Sequence, residues 1–210
     1  MVKTRIARRR QSSRDELVVA AKQVALRKGM DGFTLDAVAK ECGVTKQGLL
    51  YHFASKDELV FEVFMSEWER AANVVAAAVE ETKDGAGALA AMITSFVAHF
   101  APAMELFRLI TQEVQRYDPK AMTRERFLRL RPINDRLYGG AEARLAGGKK
   151  RLKKGLSPRR LAFSAHLAAM GILGMKALVE RFDDPLLYGN DELVSEMCRV
   201  FSAAAGKEIL

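Results

Sequence analysis

Cysteine and proline are scarce in this chain, with two cysteines and five prolines in 210 residues. Cys42 and Cys198 lie far apart and show no metal-ligand spacing, which argues against a zinc site or disulfide framework and fits a reducing compartment. Few prolines, with abundant Leu, Ala, Lys, Arg and Glu, favour an all-helical chain. No alternating strand pattern, no internal repeat and no run of 18 apolar residues occurs, so neither a sheet, a repeat array nor a membrane span is expected. The basic start lacks an apolar segment behind it, since Gln11, Ser12, Ser13, Arg14, Asp15 and Glu16 follow. A secretory leader is therefore not expected, and the chain reads as cytoplasmic. There is no Ser/His/Asp elbow, glycine-rich phosphate loop or paired-carboxylate signature, so neither an enzyme nor a cofactor or metal is expected.

What is present is a large apolar fraction, 49%, enough for a sizeable core in one or two domains. The net charge of +8 is unevenly spread. Residues 1–14 carry Lys3, Arg5, Arg8, Arg9, Arg10 and Arg14 with no acid, and residues 149–160 carry seven basic side chains with no acid. The remainder is net acidic. Two local basic clusters point to a polyanionic partner more directly than a high isoelectric point does. Residues 1–11 read as a flexible basic arm, solvated or able to enter a DNA minor groove. The basic loop at 149–154 reads first as a solvated loop.

Taken in order, Ser12 or Ser13 is the expected cap of the first helix, with an apolar stripe at Leu17, Ala21, Val24 and Ala25 and a stop at Gly29. Thr34 is a candidate N-cap, with Leu35, Val38 and Ala39 on the inner face of a second helix. Gly43 suits a tight left-handed turn, and Thr45 can cap a third helix with Leu49 and Phe53 inside. Two short helices around one glycine form a helix-turn-helix, whose second helix enters the major groove. Residues 43–56 hold no acid, as a phosphate-facing surface requires. Ser55 and Glu58 form a capping box. Lys56 then sits in a first helical turn against the dipole, which suggests an external anion.

A long fourth helix is expected to about residue 80, broken by Asp84 to Gly87. Further helices follow at 88–100, from Pro102, through 120–146, at 158–181 and at 190–205. Tyr117 to Pro119 is a stop. Pro132 and Gly139-Gly140 predict a kink or a break within 120–146. Small residues Ala162, Ala165, Ala168, Ala169, Gly171, Gly174 and Ala177 along the penultimate helix allow another backbone to approach closely. The expectation is an all-α chain of about nine helices, with a basic arm at 1–11, a DNA-binding domain at 12–58 and a helical body at 59–210.

Over residues 14–60 the chain resembles the TetR family of bacterial transcriptional regulators. The resemblance rests on Ala20-Ala21, Gly29, Phe33-Thr34, Val38-Ala39, Gly43-Val44, Leu49, Tyr51-His52-Phe53, Lys56 and Leu59 in that order. It implies that Thr34 touches phosphate, that Thr45, Lys46 and Gln47 face base edges, that Tyr51 and His52 anchor backbone phosphates, and that Lys56 binds a further one. Gly48 and Leu50 stand where the family commonly has Thr and Tyr, which shifts base reading toward Lys46 and Gln47 and leaves Leu50 an apolar contact.

The resemblance also implies a homodimer paired through the last two helices. A double-stranded, near-palindromic operator and a small-molecule inducer that moves the fourth helix complete the scheme. An aromatic and methionine stripe, Trp68, Met92, Phe96, Phe100, Met104, Phe107 and Phe127, reads as core or as an adaptable ligand pocket, with His99, His166 and Met170 beside it. The two histidines read first as satisfied core residues. Glu105 and Glu113 on one helix suit a cationic drug-like ligand, with acyl chains and aromatic metabolites as rivals. The competing function is a DNA-binding activator or architectural protein without an inducer.

Overall fold

The computed structural model describes residues 2–29, 31–116, 123–148, 152, 155–179 and 188–206, of which 2–12, 110, 112–116 and 177–179 are described as backbone alone. Among the described residues there are nine α-helices and no strand. They are α1 (Val2–Lys28), α2 (Leu35–Cys42), α3 (Lys46–His52), α4 (Lys56–Glu80), α5 (Gly85–Phe100), α6 (Met104–Arg116), α7 (Arg124–Gly147), α8 (Pro158–Val179) and α9 (Asn190–Ala204), with a 3-10 turn at Ala101–Ala103. The all-α expectation holds.

Three local expectations change. Helix α1 begins at Val2, so helical backbone covers residues 2–11, where a flexible arm had been expected. Ala7, the arginines and Gln11 are good helix formers and no Gly or Pro interrupts them, so nothing local stops the helix at Ser12. Residues 124–147 form one helix with Pro132 inside it, so a break is excluded. The residues before Ile133 are mostly exposed, so the carbonyl that loses its partner at Pro132 lies near water. The stretch Gly85–Leu109 is long and apolar enough to cross a membrane by composition, although none was expected. Its α5 part packs against α7, α8 and α9, with nine buried residues, as a core helix does. The expected stop at 117–119 and most of the basic loop at 149–154 lie outside the described residues.

The chain divides into two compact units, one comprising Met1–Trp68 with Leu109–Val114 and the other Glu69–Arg108 with Gln115–Leu210. The expected boundary between residues 58 and 59 falls inside α4. The first unit closes around Leu17, Ala21, Val24, Phe33, Val38, Leu49, Phe53 and Leu59, all buried. The spacing of the α1 residues puts them on one helical stripe, and each fully buried Leu or Phe contributes about 1.5–3 kcal/mol. Lys22 of α1 pairs at 2.7 Å with Glu67 of α4, whose carboxylate is almost wholly buried.

The second unit is centred on α5. A Cβ at Gly85 would lie 3.0 Å from the Leu145 Cα, so the glycine lets the start of α5 approach α7. On α8 the small-residue stripe splits between two faces. Ala162, Ala165 and Ala169 are buried, whereas Gly171 and Gly174 are exposed. The side chain of Ala177 lies outside the described set.

Candidate nucleic-acid interface and candidate effector core

The caps expected at Thr34, Gly43 and Thr45 form. The Thr34 hydroxyl accepts from the Ala37 N–H at 3.1 Å and opens α2. Gly43 closes α2 at φ +65°, a left-handed conformation that side chains rarely adopt. Its N–H bonds to the Lys40 carbonyl, and Val44 N–H to that of Ala39. The Thr45 hydroxyl accepts from Gly48 N–H at 3.0 Å and opens α3. Leu49 and Phe53 are fully buried and anchor the inner side of α3.

That anchoring turns the other side of α3 outward. Thr45, Lys46, Gln47, Gly48 and Leu50 are exposed, and Tyr51 is 66% exposed. His52 is half-buried, with its ring edge-on to Tyr51 at 5.2 Å. Lys56 is half-buried at the start of α4, its ammonium 5.8 Å from the centre of the Phe33 ring. The nine residues singled out at 34–56 therefore lie on one short α2–turn–α3–α4 segment of one unit.

Three contacts at this surface were not legible beforehand. Arg14 donates to the His52 carbonyl at 2.9 Å, stacks 4.4 Å over the Phe53 ring, and pairs with Glu58 at 3.3 Å and Glu62 at 2.9 Å. It thereby ties α1 to the end of α3 and the start of α4. Lys46 pairs with Asp36 at 2.8 Å. The capping box forms only in part. Ser55 Oγ accepts from Glu58 N–H at 3.1 Å, but the Glu58 carboxylate accepts from Ala54 N–H at 2.8 Å rather than from Ser55. The nearby Arg14 draws that carboxylate as well.

In the second unit, Phe107, Phe100, Phe96 and His166 follow one another with ring centres 5.4, 5.1 and 4.8 Å apart. Tyr138 lies 5.6 Å beyond His166, and Phe163 5.8 Å from Tyr138. His99 stands edge-on to Phe100 at 4.8 Å. Met92 is fully buried and Met104 nearly so, while Met170 is half-buried. Burial lowers the His166 pKa to about 4, so the ring is neutral at pH 7. Burial also raises the Tyr138 hydroxyl above its ordinary range, against the opposing charge of Arg159.

Two of the expected aromatic pocket residues are not in this cluster. Trp68 belongs to the first unit and stacks on Phe64 at 5.6 Å. Phe127 is 58% exposed, because the buried face of α7 begins only at Ile133. Tyr138 and Phe163 were missed. Their only sequence signal is an aromatic one turn or less from a buried helical stripe. Glu105 is exposed and pairs with Arg108, so it offers no carboxylate to the rings. A cavity of about 430 Å³ opens elsewhere, between Lys83, Asp84, Arg144, Leu145, Leu152 and Ala205, and none of the expected pocket residues lines it.

Residues 17–63 match the model of the bacterial regulatory proteins of the tetR family. Over 101 residues the chain is 30% identical to the HTH-type transcriptional activator FasR of Mycolicibacterium smegmatis. That match covers 48% of this chain and 46% of FasR, so the chain spans about half the length of this relative. The transcriptional regulator FadR from Bacillus subtilis, solved in complex with stearoyl-CoA, is similar with a TM-score of 0.68 at 15% identity, over 90% of this chain and 97% of that one. A TetR-family regulator from Marinobacter aquaeolei is similar with a TM-score of 0.67 at 17% identity, over 94% and 97%. Likeness at such identities is likeness of fold.

Proposed function

We propose that this chain, whose N-terminal domain belongs to the tetR family of bacterial regulatory proteins, is a ligand-responsive repressor. It binds a near-palindromic operator as a homodimer and is released by a small hydrophobic inducer. The observation that carries the reading is the acid-free outward side of α3, held by the buried Leu49 and Phe53. A helix so presented fits the major groove, with Lys46, Gln47 and the Leu50 side chain toward base edges. Thr34, Tyr51, His52 and Lys56 flank it at positions suited to phosphate oxygens.

Dimerisation through α8 and α9 is supported by their uncovered apolar surface. Phe163, Leu167, Gly171 and Met175 fall at four-residue intervals on α8, with Leu167 52% and Met175 55% exposed. Among its described residues α9 buries none, and Val200 is exposed. A second copy covering both helices as a four-helix bundle removes this surface from water and presents two heads to two half-sites.

The ring cluster around the neutral His166 supports an apolar inducer. Glu105 is turned to Arg108 and the Glu113 side chain lies outside the described residues, so the apolar rings around the neutral His166 favour an acyl chain over a cation. The stearoyl-CoA held by FadR, a neighbour in fold, points the same way. The inducer acts only by binding the released state more tightly than the DNA-bound state, and a full switch needs roughly 5.5 kcal/mol of such preference. An activator is the second reading, favoured by the function that FasR carries in its name.

The test is fluorescence anisotropy of a duplex enriched by selection, over a range of salt and with long-chain acyl-CoA added. Affinity falling steeply with salt, and complex lost on acyl-CoA addition, support the repressor. A flat salt response overturns DNA binding through phosphates. Tightened binding with acyl-CoA favours the activator.

A further inference from the structure

Asp36 stands in the first turn of α2, two residues after the Thr34 cap. A carboxylate there is favoured by the helix dipole, and a helix-stabilising role is its ordinary reading. The fold gives it a second neighbour. Asp36 Oδ2 lies 2.8 Å from the Lys46 ammonium across the turn, and both side chains are open to solvent, 68% and 52% exposed. Lys46 is the first residue of α3, on the side turned outward. An acid therefore sits on a surface whose own stretch, 43–56, has none.

A carboxylate beside the reading helix repels phosphate, so on electrostatic grounds it weakens binding to every sequence. Its pairing with Lys46 has a more selective consequence. A free lysine on a long, flexible stem settles on the nearest phosphate as a point charge. The Asp36 carboxylate competes for that ammonium and holds it near α2. An ammonium has three N–H donors. With one donated to Asp36, two remain, and guanine offers two adjacent acceptors, O6 and N7, in the major groove.

We propose that Asp36 is a specificity-determining residue that acts through Lys46, keeping its ammonium off the phosphates and presenting it to a guanine edge. This rests on the reading of α3 as the major-groove helix, and the experiment separates the two. The full-length chain is used to select duplexes from a randomised library. The enriched and scrambled duplexes are then titrated at several salt concentrations.

Wild type is expected to enrich one guanine in each half-site. Asp36→Asn is expected to bind scrambled duplex more tightly and to lose the guanine, with the enriched-to-scrambled ratio falling roughly tenfold, within the range of one base contact. Lys46 would then join a phosphate, steepening the salt slope by about 0.9 per subunit. Asp36→Glu, which keeps the charge, should retain most of the ratio, and thermal unfolding controls for the helix cap. Lys46→Ala should lose the guanine, and adding Asp36→Asn to it should leave the ratio where it is. The proposal is overturned if Asp36→Asn keeps the guanine and the ratio. It is overturned equally if Asp36→Asn lowers the ratio just as much without Lys46. A wild-type protein that enriches no sequence overturns the groove-reading assignment itself.

Discussion

The first unit buries mainly aliphatic side chains around Phe33 and Phe53 and crosses them with charge, through Lys22–Glu67 and through Arg14 with Glu58 and Glu62. The second unit centres on a chain of aromatic rings joined by one neutral histidine. The contrast follows from what each must hold. A unit of this size buries little surface, so caps and ion pairs must fix the orientation of α3, whose outward side stays polar. Rings and methionines fill a large core in more than one way, which suits the ligand-binding role proposed for the body. The head is therefore expected to break at single packing or charge contacts, and the body to respond to burial and protonation.

The largest expected effect is in the head. Phe53→Ala should cost about 3–5 kcal/mol and abolish DNA binding, measured by chemical denaturation and anisotropy. A stability loss under 1 kcal/mol would erase the picture of a head held by single anchors. Lys22→Ala removes the cation beside an almost fully buried carboxylate and should cost about 3 kcal/mol, whereas Arg159→Ala, at an exposed pair with Glu142 and Asp135, should cost at most about 1 kcal/mol. Equal losses would remove the distinction between buried and surface charge.

The body is tested by pH. The folded His166 pKa is depressed to about 4 from an ordinary 6.5, so the unfolded chain binds the extra proton first. The contribution is fully present above pH 6.5 and is lost as pH falls toward 4, by up to about 3 kcal/mol. His166→Leu should flatten that part of the stability profile, read by thermal unfolding between pH 4.5 and 7.5. The finest distinctions lie between contacts within the interface. Tyr51→Ala or Lys56→Ala should weaken all duplexes alike, each by roughly tenfold, while Gln47→Ala should change which duplex is preferred. An unchanged preference in Gln47→Ala removes it from the base readers.

The caps at Thr34, Gly43 and Thr45 could be read from the chain because each bonds within five residues, and their side-chain preferences are local. The start of α1 could not, because a serine cap competes with helix-forming residues on both sides. The Glu58 acceptor differed for a related reason, since Arg14 lies 44 residues away in the chain. Tyr138 and Phe163 escaped notice because an aromatic on a helix does not declare which neighbour its ring meets.

By itself the sequence determined an all-helical chain, the cap-and-glycine geometry of residues 34–53 and the side of α3 opposite Leu49 and Phe53, because periodicity and capping act over one or two turns. Tertiary structure alone decided that Arg14 clamps α3, that Asp36 meets Lys46, that His166 is buried among rings and stays neutral, and that Phe127 faces water. Those outcomes depend on contacts between distant segments, where burial and opposite charge act through space without regard to order along the chain.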